Sequence, residues 1–180
     1  WNYTVSNTAA EYLALGESVI ETYTVTLTDG TTGDDVTQEI AVTINGTNDI
    51  PTLQTNAAAT VDNVGRATLD YVMLNTTDVD TSDVITYTVS SVPTSGTLFV
   101  NGVAVDSGTS SSLSFTQNDI DLGHVYYQQS SAAVSDAFSF SVTDSVMTTP
   151  ITGTFTINLV ATVVGSSGSD TLAGSAGDDI

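Results

Sequence analysis

Residues 44–52 read Ile-Asn-Gly-Thr-Asn-Asp-Ile-Pro-Thr. An alternating apolar stretch stops there at Asn48 and Asp49, and Pro51 follows two residues after Asp49. Both short polar residues tolerate unusual backbone angles, so a turn closed by a proline accounts for them. The same arrangement is also half of a hard-cation site: two oxygen-bearing side chains pinned at a strand end by a residue that forbids strand continuation. Both readings stand at this point.

The composition bears on the choice. Against 21 acidic residues the chain has one basic residue, Arg66, and its formal charge is -20. A phosphate backbone needs several cations to neutralise it, so nucleic acid is excluded as a partner, and anionic lipid is disfavoured for the same reason. The acids are mostly Asp set among Gly, Asn, Ser and Thr, the pattern of short loop ligands rather than of a solvated helix face. Clustered carboxylates repel unless a counter-cation lies between them. Without cysteine and with one histidine, zinc and copper lack their preferred ligands and disulfides are absent. Calcium is the cation this composition suits. No apolar run is long enough to span a bilayer and no basic-then-apolar signal segment opens the chain. Because the sequence starts at Trp1 within a strand-like pattern, that says nothing about export.

The elements that must position these residues are strands. Tyr23, Val25 and Leu27 alternate with Thr22, Thr24, Thr26 and Thr28. The same period of two recurs at Ile40, Val42, Ile44; at Ile85, Tyr87, Val89; at Phe138, Phe140, Val142; and at Phe155, Ile157, Leu159. Nothing long has a helical period. Asn101-Gly102 lies between Val100 and Val103 and predicts a tight hairpin. Short strands with frequent turn residues predict an all-β protein of antiparallel sandwiches. An internal echo adds organisation: "YTVTLTDG" followed by "IAVTI" returns as "FSFSVTDS" followed by "TFTINL". The expectation is a truncated first sandwich over 1–51, holding only its C-terminal strands, and a complete second one over 52–162. Residues 163–180 turn abruptly to Gly, Ser and Asp, which a flexible linker would explain.

Three resemblances sharpen this. Residues 1–51, with "WNYTVSN", "LGES", "LTDG" and "GTNDIP" in order, resemble the C-terminal part of the VCBS repeat, a cadherin-like module of long bacterial surface and secreted proteins. The second segment, with "DVDTSDVITYTV", "PTSGTLFVNG", "SFTQNDIDLGHVYYQQ" and "DAFSFSVTDS", is similar to the cadherin-like repeat of chondroitin-sulfate proteoglycans and bacterial adhesins. The tail resembles the start of RTX hemolysin-type nonapeptides, with Gly165, Gly168, Asp170 and Leu172 in one copy and Gly174, Gly177 and Asp179 in the next. Ser166 and Ser175 replace the second glycine of each copy, and fewer than two copies are present, too few to complete a stacked site.

Together these imply tandem cadherin-like (Ig-like) antiparallel β-sandwiches, the first truncated, followed by the start of a β-roll. The resemblance implies a calcium-binding linker made by Glu17, Asn48, Asp49, Asp78, Asp80 and Asp144, with Asp170 and Asp179 as calcium ligands of the β-roll. Six side chains would match the six to eight oxygens calcium takes. Asp29 would serve a linker further upstream. Asp83 is expected as an outer carboxylate or a solvated loop residue. His124 has no nucleophile and orienting acid with which to form a catalytic set, and is expected on the surface. Asp119 and Asp121 are spaced like a pair for glycoside hydrolysis, but Asp119 belongs to a turn it is expected to cap. Trp1, Tyr126 and Tyr127 are expected in the core or on a sheet face, where exposed rings could stack on sugars. The expected function is a structural and adhesive segment of a secreted or cell-surface RTX adhesin exported by type I secretion, without catalysis. Its partners would be calcium, neighbouring repeats of the same chain, and a cell-surface protein or glycan. The alternatives are a stalk of a secreted RTX hydrolase or toxin, and a carbohydrate-binding module.

Overall fold

The computed structural model of the chain describes residues 2–62, 65–106, 114–130 and 135–160. In chain order the strands are β1 (Ser18–Leu27), β2 (Val36–Asn45), β3 (Thr52–Asn56), β4 (Ala59–Asp62), β5 (Arg66–Thr68), β6 (Leu74–Thr77) and β7 (Thr86–Ser91). There follow β8 (Gly96–Val100), β9 (Val103–Val105), β10 (Ser114–Thr116), a short helix α1 (Gln117–Asp121), β11 (Val125–Gln129), β12 (Asp136–Thr143) and β13 (Ile151–Val160).

The period-two segments fold as their alternation dictates. β1 and β2 form an antiparallel hairpin in register from Ser18↔Asn45 to Leu27↔Val36. One face carries Val19, Tyr23, Val25, Ile40, Val42 and Ile44, and the other is rich in threonine. Among the described residues these two strands pair only with each other. The remaining strands make an all-β sandwich. One sheet runs β10-β7-β12-β13-β4, the other β5-β11-β8-β9, and β3 pairs with β6 beside them. Strand β12 alternates buried and half-buried along its whole length, with Phe138, Phe140 and Val142 inward. These meet Tyr87, Phe115, Phe155, Leu98, Val125 and Tyr127, all buried. The rings of Tyr87 and Phe115 stack 5.1 Å apart and those of Phe138 and Phe155 5.2 Å apart. Burying each such ring contributes roughly 1.5–3 kcal/mol.

Two features depart from a purely antiparallel expectation. β4 pairs with β13 in parallel, from Ile157↔Ala59 to Val160↔Asp62. The chain from β4 to β13 passes through almost the whole sandwich, so no tight turn forces the two strands to oppose. The second feature is α1, a single helical turn closed at its N-terminus by a capping box between Thr116 and Asp119. The Asn101-Gly102 turn forms as its sequence predicts, with φ of 51° and 78° joining β8 to β9.

Candidate metal centre

Sheet register brings three separate loops to one end of the sandwich. Thr52 opposes Thr77, so Pro51 and the linker before it lie beside Asp78 at the end of β6. Thr143 opposes Thr86, so Asp144, which follows β12, lies beside the segment that leads into β7 and contains Asp83. Upstream, the Gly46 N–H donates to the Glu17 carbonyl at 2.9 Å and ties the linker back to the turn before β1. A β-carbon at Gly46 would fall inside the carbonyls of Leu13 and Ala14, so the close approach of these backbones requires glycine.

The side chains then interlock. The Asp49 N–H donates to Asp80 Oδ2 at 2.7 Å, and Asn48 Nδ2 donates to Asp144 Oδ2 at 3.0 Å and to the Asp49 carbonyl at 2.6 Å. The Asp80 N–H donates to Asp78 Oδ1 at 3.1 Å. Asp144 Oδ1 accepts the N–H groups of Val146 and Met147 at 2.8 and 2.6 Å, an arrangement that holds Ser145 at a φ of 87°. Asp78, Asp83 and Asp144 each offer an oxygen, and these atoms all lie within 4.8 Å of one another.

What this network leaves over defines the site. Among the described residues four buried oxygens have no hydrogen-bond partner: Asn48 Oδ1, Asp78 Oδ2, Asp80 Oδ1 and Asp83 Oδ2. Asp80 is 2% exposed and Asp144 fully buried. A buried carboxylate oxygen without a donor is costly, and four acceptors without a donor among them are costlier. The electrostatics agree. Burial, followed by the charges of Asp80 and Asp144, pushes the Asp78 carboxyl above its ordinary value, against the opposing N–H of Asp80. Burial also raises Asp83, followed by the charges of Asp80, Asp144, Asp78 and Glu17. Asp144 is the exception: burial works upward but is outweighed by the Asn48 amide and the N–H groups of Met147 and Val146, so it stays low. The set is hard, oxygen-only and anionic, and four of its oxygens find no donor among the described residues. A hard divalent cation fits those donors.

The residues proposed from sequence divide accordingly. Asn48, Asp78, Asp80 and Asp144 converge. Asp83, read from sequence as peripheral, stands in the central carboxylate triad with Asp78 and Asp144. Asp49 contributes its backbone N–H to the network. Glu17 Oε2 accepts the Ala14 N–H at 3.1 Å, and its charge reaches Asp83. Asp170 and Asp179, the whole RTX-like tail, and Trp1 lie outside the described residues. Asp29 is exposed and closes its own turn by accepting the Thr31 N–H at 2.8 Å.

Asp119 caps α1, accepts Asn101 Nδ2 at 3.1 Å and lies 3.6 Å from Nδ1 of His124, whose side chain is 45% exposed. Asp121 accepts Gln117 Nε2 at 2.9 Å. Tyr127 is buried, whereas Tyr126 lies on the outer face of its sheet. Among the described residues no helix is long and apolar enough to cross a membrane.

The family comparison covers the same sandwich. A family model described as cadherin-like matches residues 51–159. No curated protein matches. Among solved structures the chain is similar to an endo-fucoidan hydrolase from glycoside hydrolase family 107, at 17% identity and a TM-score of 0.40. The alignment covers 86% of this chain and 20% of that one, so the chain spans about a fifth of the hydrolase. That likeness is too distant to bear on activity.

Proposed function

This chain belongs to the cadherin-like family, and from that premise we propose that it is a calcium-rigidified structural and adhesive segment of an extracellular protein. One observation carries the reading: the four buried oxygens of Asn48, Asp78, Asp80 and Asp83 that have no donor among the described residues, gathered where the linker meets the sandwich. With Asp144 they would hold a calcium ion, Asp49 fixing Asp80 through its backbone N–H and Glu17 adding charge from the hairpin side. Bound there, calcium would neutralise carboxylates that otherwise repel one another.

The junction joins residues of the hairpin turn, the linker and two loops of the sandwich, so satisfying it stiffens the connection between the β1–β2 hairpin and the following domain. On this reading the hairpin belongs to a first, VCBS-like sandwich over 1–51, and residues 163–180 lead into an RTX-type β-roll in which Asp170 and Asp179 bind calcium. The parent is a type I-secreted bacterial adhesin. The segment is non-catalytic, and its partners are neighbouring repeats and a cell-surface protein or glycan.

Thermal unfolding in calcium and in chelator tests the reading. Extracellular modules bind calcium with dissociation constants of about 0.1–1 mM, and saturation at a hundredfold excess adds roughly 2.7 kcal/mol. The wild type should gain stability of that order, and Asp80→Asn, which keeps shape and removes one charge, should lose most of the gain. An identical calcium response in both proteins excludes Asp80 as a ligand. A wild type indifferent to calcium leaves the linker a plain turn.

A further inference from the structure

The four strands of the β5-β11-β8-β9 sheet contain no acidic residue, although the chain as a whole carries 21. Their inward positions pack the core, and the outward positions alternate with them. Tyr126 and Gln128 on β11 stand between buried Val125, Tyr127 and Gln129, while Thr97 and Phe99 on β8 flank buried Leu98. Arg66 and Thr68 on β5 flank buried Ala67.

Across this face runs a stack. Phe99 opposes Tyr126 in register, and their rings lie 4.9 Å apart and 9° from parallel. The Arg66 guanidinium carbon sits 3.5 Å from the Tyr126 ring centroid. Arg66, the only Lys or Arg in the chain, is exposed, and beyond its ring contact its guanidinium makes no hydrogen bond or ion pair with any described residue. In so acidic a protein an arginine placed only to stabilise the fold would find a carboxylate. This one sits over a ring, and its planar fork of donors meets no described acceptor.

We propose that this outer face binds an acidic polysaccharide, with the Arg66 fork pairing a uronate carboxylate and Tyr126 and Phe99 packing against sugar rings. Three neighbouring strands span about 10 Å, which suits two successive sugars, one charged and one neutral. Thr68 and Thr97 supply neutral hydroxyls of the kind sugar hydroxyls pair with. A nucleic acid carries a charge on every unit and would meet one cation against a net charge of -20. A polymer charged at alternate sugars makes far less demand. The inference does not depend on the calcium reading, since it uses none of the same residues.

The probe is a hyaluronan hexasaccharide, titrated by NMR into the intact chain with calcium present, with a neutral N-acetylglucosamine hexasaccharide as comparison. Saturable binding is expected, with shifts confined to β5, β11 and β8. Arg66→Gln should weaken it by about tenfold, the scale of a lost charge-assisted hydrogen bond. Thr97→Glu, which adds an acid to the face without touching the stack, should weaken it similarly. The neutral oligomer should bind more weakly and ignore Arg66→Gln. Unchanged unfolding midpoints would assign these losses to the face itself. The proposal is overturned if hyaluronan does not saturate the protein, if the neutral oligomer binds as well, or if neither folded variant changes the affinity.

Discussion

Asp136 shows what one buried carboxylate does when its donors are supplied. At the head of β12 it accepts the N–H groups of Thr94 and Ser95, both at 2.9 Å, and the hydroxyl of Tyr127 from the opposite sheet. Burial works to raise its pKa, but these bonds and the N–H of Ala137 outweigh it, and the group is held below the ordinary carboxylate value. A depressed folded pKa means stability that is present above the unfolded value, near 3.9, and lost as pH falls through the folded one. Asp136→Asn should therefore cost about 1–3 kcal/mol at neutral pH, because an NH2 then faces a backbone N–H. That cost should shrink on acidification through this range. Urea unfolding of both proteins across pH 2–7 measures the difference and cancels the relief of general acidic repulsion.

Asp83 is the opposite case, its pKa raised by burial and by its neighbours' charges. Asp83→Asn should stabilise the protein by roughly 1 kcal/mol in chelator and destabilise it in calcium, a reversal of sign that thermal melts read directly. The linker pair Asn48-Asp49 was legible in the sequence because proline and strand end mark it. Asp83 was not, since burial of a loop acid is decided by the fold and an Asp three residues past an Asp-x-Asp resembles any solvated turn.

The strands were legible because a sheet with one buried face writes its period into the chain: β1, β2, β7, β12 and β13 lie where the alternation puts them. The Asn101-Gly102 turn was legible through its demand for positive φ. The parallel β4–β13 pairing was not, because β4 is four residues long and its direction depends on a distant partner. Nor was α1, whose five residues are too few to show a helical period. The Arg66–Tyr126–Phe99 stack joins three strands remote in sequence and leaves no local trace. The linker makes its own demand as an element. Gly46→Ala would press a methyl group into the Leu13 and Ala14 carbonyls. The expected cost is about 1–3 kcal/mol, the scale of overpacking, together with a smaller calcium-induced gain, because Glu17 and the linker would be forced apart. Calorimetry with and without calcium separates the two effects.

Over the whole molecule, charge and chemistry are unevenly spread: carboxylates gather at the pole where the linker enters, while the strands of one sheet contain none. On the proposed non-catalytic reading Asp119 serves to cap α1, so incubation with glycosides should give no turnover that Asp119→Asn removes. The strand order has a mechanical side. β4 stands near the start of the sandwich and β13 at its end, and they run parallel. A pull that draws the two ends of the domain apart therefore slides these strands along one another. The hydrogen bonds between Ala59–Asp62 and Ile157–Val160 lie across that motion and must yield together, whereas an antiparallel hairpin pulled at its open end unzips one pair at a time. The domain is thus built to carry tension along its length, with the β4–β13 seam as its clamp. Single-molecule stretching should find its rupture force lowered by a proline in β4 at Thr60 and little altered by one in the short edge strand β9.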